Sequence, residues 1–190
     1  MISVEPIRDR EKIKEIERKL AMLDTDIGRK EYLLFEIGIY LARRISDMIV
    51  MRVGDLRGRD LFVVREKKTG KRIELPIPDE LQKVLRQRLK GMADGEYIFQ
   101  SRQKDNKGRA SHISRKTAYN YVKAIGKLGE IEYPFACHSL RKTFGYHYYM
   151  RTKDIAMLMD LFNHTKESTT LIYIGIAIDE KRKALTKWKY

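Results

Sequence analysis

The chain has one cysteine, Cys137, among 190 residues, which excludes an internal disulfide framework and fits a reducing compartment. Metal-ligand patterns are equally scarce. The four histidines are scattered, with no HExxH or CxxC spacing and no cluster of carboxylates, so no metal site is expected. No apolar run approaches the length of a membrane span, and the first residues, Met1 to Pro6, lack the apolar core of a signal peptide. The expected location is the cytoplasm, with no membrane partner. Internal repeats and long linkers are missing too, and 190 residues suit one well-cored domain better than two.

Acidic residues are in deficit. Lysine and arginine number 40 against 26 aspartates and glutamates, a formal net charge of +14. Such an excess points to a polyanion, because each phosphate neutralised releases counterions. Nucleic acid is favoured over an anionic membrane surface, since no single helix sets its basic residues opposite a broad apolar face. A hydrophobic content of 43% is ample for a folded core.

Read in order, the sequence is mainly helical with one small antiparallel sheet, an α+β composition. Residues 9–22 carry Ile13, Ile16 and Leu20 at helical spacing. Asp24-Thr25-Asp26 interrupts, and a more apolar helix runs from Arg29 toward Arg43-Arg44. A short helix over 45–51 gives way to Val53-Gly54-Asp55. Residues 61–77 pair two strand-like runs across Lys67-Lys68-Thr69-Gly70-Lys71, which reads as a β-hairpin with a basic tip. A helix starts at Pro78-Asp79. Residues 97–99 suit a short strand or an extended link, and 101–112 form a polar loop rich in Arg102, Lys104, Lys107 and Arg109. Ser114 caps a helix expected to end at Gly126 and Gly129. Further helices are expected around His138–Arg141, over 154–162 and 165–173, with a basic helical tail over 177–190.

The chemistry concentrates in residues 137–173. On a helix, His138 and Arg141 at i, i+3 project from one face, so an imidazole and a guanidinium can converge on one anionic group. Tyr173, nine residues after His164, is a candidate covalent nucleophile if a phosphorus is held within reach. Opening a phosphodiester with a protein hydroxyl also needs donors to the phosphoryl oxygens and an acid for the departing alkoxide.

Arg44 in Arg-Ile-Ser-Asp, Lys68 in Lys-Lys-Thr-Gly-Lys, His138 and Arg141 in His-Ser-Leu-Arg-Lys-Thr-Phe, His164 in Phe-Asn-His and Tyr173 in Thr-Thr-Leu-Ile-Tyr occur in the order of a known set. In these residues the chain resembles the catalytic domain of the tyrosine recombinases, the phage-integrase family of DNA strand-exchange enzymes. A lone His-x-x-Arg carries almost no information, whereas six ordered matches over roughly residues 29–175 are specific. The resemblance implies that family's catalytic core fold and a site-specific recombinase that cleaves and rejoins DNA through a 3′-phosphotyrosyl intermediate, with neither a metal nor any other cofactor. A type IB topoisomerase-like relaxer and a non-catalytic DNA-binding module are the alternatives.

It also implies roles. Arg44 and Arg141 grip the scissile phosphate, His138 and His164 are further donors, Tyr173 attacks, and Asp47 is a supporting acid. Lys68 matches the general acid, with Lys67 or Lys71 in reserve. The Arg-x-x-Asp spacing favours Arg44 over Arg43; the plainer alternative is a helix-surface Arg44 with Asp47 as its i, i+3 salt-bridge partner. DNA contacts are expected from Arg43, Lys67, Lys71, Arg102, Lys104, Lys107, Arg109, Arg115, Lys116 and Lys142. The expected partner is double-stranded DNA, bound as a tetramer, with a monomer in its absence. The chain has no room for the additional amino-terminal DNA-clamping domain of most relatives, and the tail over 177–190 either enters a neighbouring protomer or folds back. Two departures stand out. Ala42-Arg43-Arg44 replaces the family's Gly-Leu-Arg, and Phe162-Asn163-His164 replaces Leu-Gly-His, where asparagine still tolerates a left-handed backbone. His112, His147 and Cys137 read as ordinary packing residues.

Overall fold

Asp9 and Thr25 set the first two helices. The Asp9 carboxylate accepts from the Glu11 N–H to open α1 (Arg10–Ala21), and the Thr25 hydroxyl accepts from Gly28 N–H to open α2 (Asp26–Leu41), each satisfying a donor that the first helical turn leaves over. The computed structural model describes residues 4–65, 70 and 72–188. α2 thus starts at Asp26, three residues before the expected Arg29, because Thr25 is its cap rather than part of an interruption. α3 (Ile45–Met48) is shorter than expected and is followed by a 3-10 turn, Val53–Asp55.

The hairpin consists of β1 (Leu61–Arg65) and β2 (Arg72–Pro76), antiparallel, with Leu61 opposite Pro76 and Arg65 opposite Arg72. Phe62 and Ile73 turn inward and are buried, as the two-residue period of a half-buried sheet requires. Lys67, Lys68 and Lys71 lie outside the described residues. α4 (Asp79–Arg88) follows. Residues 97–99 form no named strand; Tyr97 makes an isolated bridge to Arg52, and Gln100 one to His112. The polar loop then leads to α5 (Arg115–Leu128), capped by Ser114. Gly126 does not end this helix, as expected from sequence, but lies inside it, where a Cβ would come within 2.9 Å of Phe135.

α6 (Cys137–Thr152), α7 (Ile155–Phe162), α8 (Glu167–Ile174) and α9 (Ile176–Thr186) complete the chain. α2 is the axis of the fold. Leu33, Leu34, Phe35, Ile37 and Leu41 on it are fully buried, each contributing about 1.5–3 kcal/mol by leaving water, and α1, α4, α5 and α6 pack around it. Two close approaches fix α6. At Gly38 of α2 a Cβ would sit 2.7 Å from Leu140 of α6, and at Gly145 of α6 it would sit 2.6 Å from Ile174 of α8. The bare backbone therefore lets α6 be pressed between α2 and α8, which draws the ends of α2 and α7 together over its first turns.

The core has two parts, a larger one around α2 and a smaller one comprising Ala42, Ile73, Leu158, Leu161, Phe162, Ile174 and Ile176. The tail helix starts at Ile176, which is buried, while Leu185 and Trp188 at its far end are exposed. Among the described residues, no helix is long and apolar enough to cross a membrane.

Candidate active site

Arg141 is the best-anchored of the candidate residues. It is buried, and its Nη1 donates to the Ala42 carbonyl at 2.7 Å and its Nη2 to the Leu161 carbonyl at 3.3 Å. Both acceptors belong to helix C-termini, Ala42 capping α2 and Leu161 in the last turn of α7. Such carbonyls lack intrahelical donors and carry the negative end of the helix dipole, so a permanent cation between them is stabilised twice. The guanidinium also stacks 4.6 Å above the Phe162 ring.

The two helix ends are shaped by left-handed residues. Ala42 has φ 50° and ψ 31°, and Asn163 has φ 58° and ψ 49°. Asparagine adopts this conformation readily, and the turn expected before His164 is formed, with the His164 N–H donating to the Met159 carbonyl at 2.9 Å. Ala42 is the less comfortable of the two, since a side chain there costs about 1–2 kcal/mol.

Tyr173 sits at the centre. Its hydroxyl is 3.2 Å from His138 Nδ1, with the Arg141 guanidinium nearby. Its ring packs edge-on against Phe162 and His164 at centroid distances of 5.2 and 5.3 Å. Burial pushes the phenol up from its ordinary range, and the charges of Arg141 and Arg44 pull against that rise. The hydroxyl therefore stays protonated at neutral pH and needs a base to react. His138 can be that base. Burial, with Arg141, Lys142 and Arg44 nearby, holds its imidazole below the usual histidine range, and the tautomer protonated on Nε2 leaves Nδ1 free to accept the phenol proton. His164 is lowered likewise, by burial and then by Arg141 and Arg44. The Thr170 hydroxyl, fully buried, lies 3.0 Å from its Nδ1 and orients the ring.

Arg44 reaches this cluster, as its field on His138, His164 and Tyr173 shows. It caps α3 and, with Arg115, Cys137, His138 and Arg141, borders a cleft of about 200 Å³ at the start of α6. The amino-terminal end of α6, where the helix dipole is positive, borders the same space, an arrangement suited to an anion. Cys137 only borders it; burial raises its thiol, so the reactive thiolate is disfavoured.

Several expectations need correction. Arg43 is not an exposed DNA contact: its side chain is wholly buried, with Nη2 3.9 Å from Asp47 Oδ2. Asp47 thus pairs with Arg43 at i, i+4 rather than with Arg44 at i, i+3. Lys142 is also buried, its ammonium bonded to the Val4 carbonyl at 2.7 Å and 5.2 Å above the Tyr173 ring. Arg102, Lys104, Lys107, Arg109, Arg115 and Lys116 are exposed, and Arg109 is joined to Asp105 at 2.8 Å. His147 and His112 are held by the carbonyls of Ile7 and Ile113, both at 2.8 Å. Sequence reasoning missed Thr170 and the two carbonyls around Arg141, for which residue type gives no signal. Among the described residues no cluster of His, Cys, Asp or Glu could hold a metal ion.

Known proteins resemble this chain in sequence and in fold. The family model described as "Phage integrase family" matches residues 12–179. A probable integrase/recombinase YoeC of Bacillus subtilis is 38% identical over 181 residues, covering 95% of this chain and 94% of that protein. Tyrosine recombinase XerA of Pyrococcus horikoshii is 29% identical over 174 residues, covering 90% of this chain but 59% of that protein. Among solved structures, XerA recombinase superposes with a TM-score of 0.68 at 18% identity, covering 98% of this chain and 65% of that one. A lambda integrase tetramer bound to a Holliday junction gives 0.63 at 16%, covering 91% and 49%.

Proposed function

Because the chain belongs to the phage integrase family, we propose that it is a site-specific DNA recombinase that cleaves and rejoins strands through a 3′-phosphotyrosyl intermediate. The observation that carries this reading is the Tyr173 hydroxyl lying 3.2 Å from His138 Nδ1 within the field of Arg141 and Arg44. A nucleophile, a neutral base and two permanent cations share one small space.

In the proposed reaction a scissile phosphate enters the cleft, and Arg44 and Arg141 donate to its non-bridging oxygens. Arginine suits this because its planar fork stays charged and can bond two oxygens at once. Tyr173 Oη attacks phosphorus as its proton passes to His138, and the bond to the 5′ oxygen breaks. The departing oxygen takes a proton from a general acid, the role assigned to Lys68 by resemblance. The free 5′ hydroxyl of a partner strand then attacks the phosphotyrosine, giving its proton back to the general acid, while the bond to Tyr173 breaks and His138 returns the proton to the phenol. His164, oriented by Thr170, donates to the phosphoryl group throughout. The ester count is conserved, so the reaction needs no energy source.

Double-stranded DNA is the proposed substrate, consistent with the net charge of +14 and with the exposed basic residues of the 101–116 segment, which would position the duplex by its phosphates. Assembly as a tetramer on DNA is proposed from the lambda integrase neighbour, and a cytoplasmic location from the substrate. A duplex nicked just past the scissile phosphate loses its short 5′-hydroxyl fragment on cleavage and traps the covalent adduct. Wild-type protein should form that adduct and Tyr173→Phe should not; equal products from the two would overturn the mechanism.

A further inference from the structure

The amino-terminal arm, residues 4–9, is not used by the chemistry above, yet its side chains reach the segment that carries the nucleophile. Ile7 is fully buried, its N–H donates to the Thr143 hydroxyl at 2.9 Å, and its carbonyl receives His147 Nε2 at 2.8 Å, so the arm is fastened along α6. From this base Arg8 extends to the start of α9. Its Nε donates to both oxygens of Asp179, at 3.1 and 2.9 Å, and its Nη2 to Glu5 at 2.8 Å. The Tyr146 hydroxyl of α6 lies near the same Asp179, whose charge helps raise that phenol, and the Arg8 guanidinium lies 5.6 Å over the Tyr146 ring.

What Arg8 covers is Gly175, the residue joining α8 to α9, two positions after Tyr173. Gly175 has φ 87°, a conformation other residues rarely adopt, and a Cβ there would meet Arg8 Nη2 at 2.9 Å and Pro6 at 3.4 Å. The arm therefore lies against a glycine corner that would otherwise be a natural hinge. Nearer the ring, Lys142 is bonded to Val4 of the same arm. The arm thus touches the nucleophile's surroundings from two sides, at the ring through Lys142 and at the hinge through Arg8.

We propose that Arg8 is a positioning residue for the cleavage reaction, clamping the Gly175 corner through Asp179 so that α8 holds Tyr173 against His138 and Arg141. The clamp acts on the placement of a reacting atom, where an error of an ångström costs on the order of a hundredfold in rate. It does not touch the phosphate. Its predicted signature is slower chemistry with unchanged DNA affinity, and faster opening of α8 without loss of the rest of the fold.

This inference rests on the reading of Tyr173 as nucleophile, so its test has one arm that does not. In hydrogen exchange of the free protein, Arg8→Ala should speed exchange of the amides of residues 170–176 at least about fivefold while α2 amides keep their protection. In the nicked-duplex assay at saturating DNA, Arg8→Ala should form the adduct about tenfold more slowly, with wild-type DNA affinity, and Arg8→Lys, which keeps a charge for Asp179, should recover to within about threefold. Unchanged exchange over 170–176 overturns the clamp whatever the chemistry does, and an unchanged adduct rate overturns its role in positioning. If wild-type protein forms no adduct, the proposed reaction falls, and the exchange measurement alone decides whether Arg8 holds the corner.

Discussion

Arg141 Nη1 donates to the carbonyl of Ala42 at 2.7 Å across 99 residues of sequence. The arginine proposed to grip the phosphate is thus located by the main chain at the end of another helix. Ala42 is buried with φ 50°, and a β-branched side chain fits neither the angle nor the space. Ala42→Val is expected to lower stability by about 2 kcal/mol or more, measured by urea denaturation. The adduct rate should fall with it even at temperatures where the variant is fully folded.

Arg43 and Arg44 are adjacent at the cleft, but the Arg43 side chain is wholly buried whereas Arg44 is half-buried. Arg43→Met removes a buried charge beside Asp47 and should lower the melting temperature. Arg44→Met should leave it nearly unchanged and slow adduct formation by on the order of a hundredfold, the usual cost of one lost donor to a developing charge. Comparable cleavage defects without a stability defect in Arg43→Met would reverse the assignment.

How much of this was legible in the sequence varies by element. The cap at Ser114, the hairpin strands and the apolar stripes all follow from local chemistry, and their helices and strands formed within a few residues of expectation, whereas Thr25, read as part of an interruption, caps α2 instead. The partner of Asp47 did not follow, because i, i+3 and i, i+4 are equally good on a helix and the choice depends on which arginine the core swallows. Lys142 and Arg43 read as DNA contacts because charge predicts exposure; a carbonyl from Val4 and a carboxylate from Asp47, both fixed by tertiary packing, bring them inside. The socket around Arg141 is backbone, and residue types do not spell a carbonyl's direction.

Thr170→Val replaces the hydroxyl beside His164 with a methyl of nearly the same size. The imidazole loses the partner that selects its orientation and tautomer, and the adduct rate should fall about tenfold, in the range of general acid–base and orienting effects. Thr170→Ser should retain most of the rate. Equal rates in Thr170→Val and wild-type would remove Thr170 from the site.

The two site histidines can be followed by NMR without DNA. Burial first, and then the charges of Arg141 and Arg44, hold both below the ordinary range. Arg44→Gln takes away one positive neighbour, so both titrations should move to higher pH. His147, lowered by burial but not by Arg44, should not move and serves as the internal control.

Glu36, buried on α2, is raised to about 8 by burial and by Glu17, and its Oε1 has no hydrogen-bond partner among the described residues. The folded protein therefore holds a proton that the unfolded chain releases near 4.5. By linkage, stability is greatest below about pH 4.5 as far as this group is concerned and is lost as pH rises toward 8. Glu36→Gln should flatten that decline in melting temperature between pH 5 and 8; a slope identical to wild-type would show that Glu36 ionises freely in the fold.

The carbonyls that seat Arg141 have one more consequence. Every amino acid contributes the same carbonyl, so point substitution at Ala42 or Leu161 cannot delete the seat itself, and only a change of backbone angle can. The arginine's surroundings are exposed to mutation mainly through shape, by side chains that disturb the turn at either helix end.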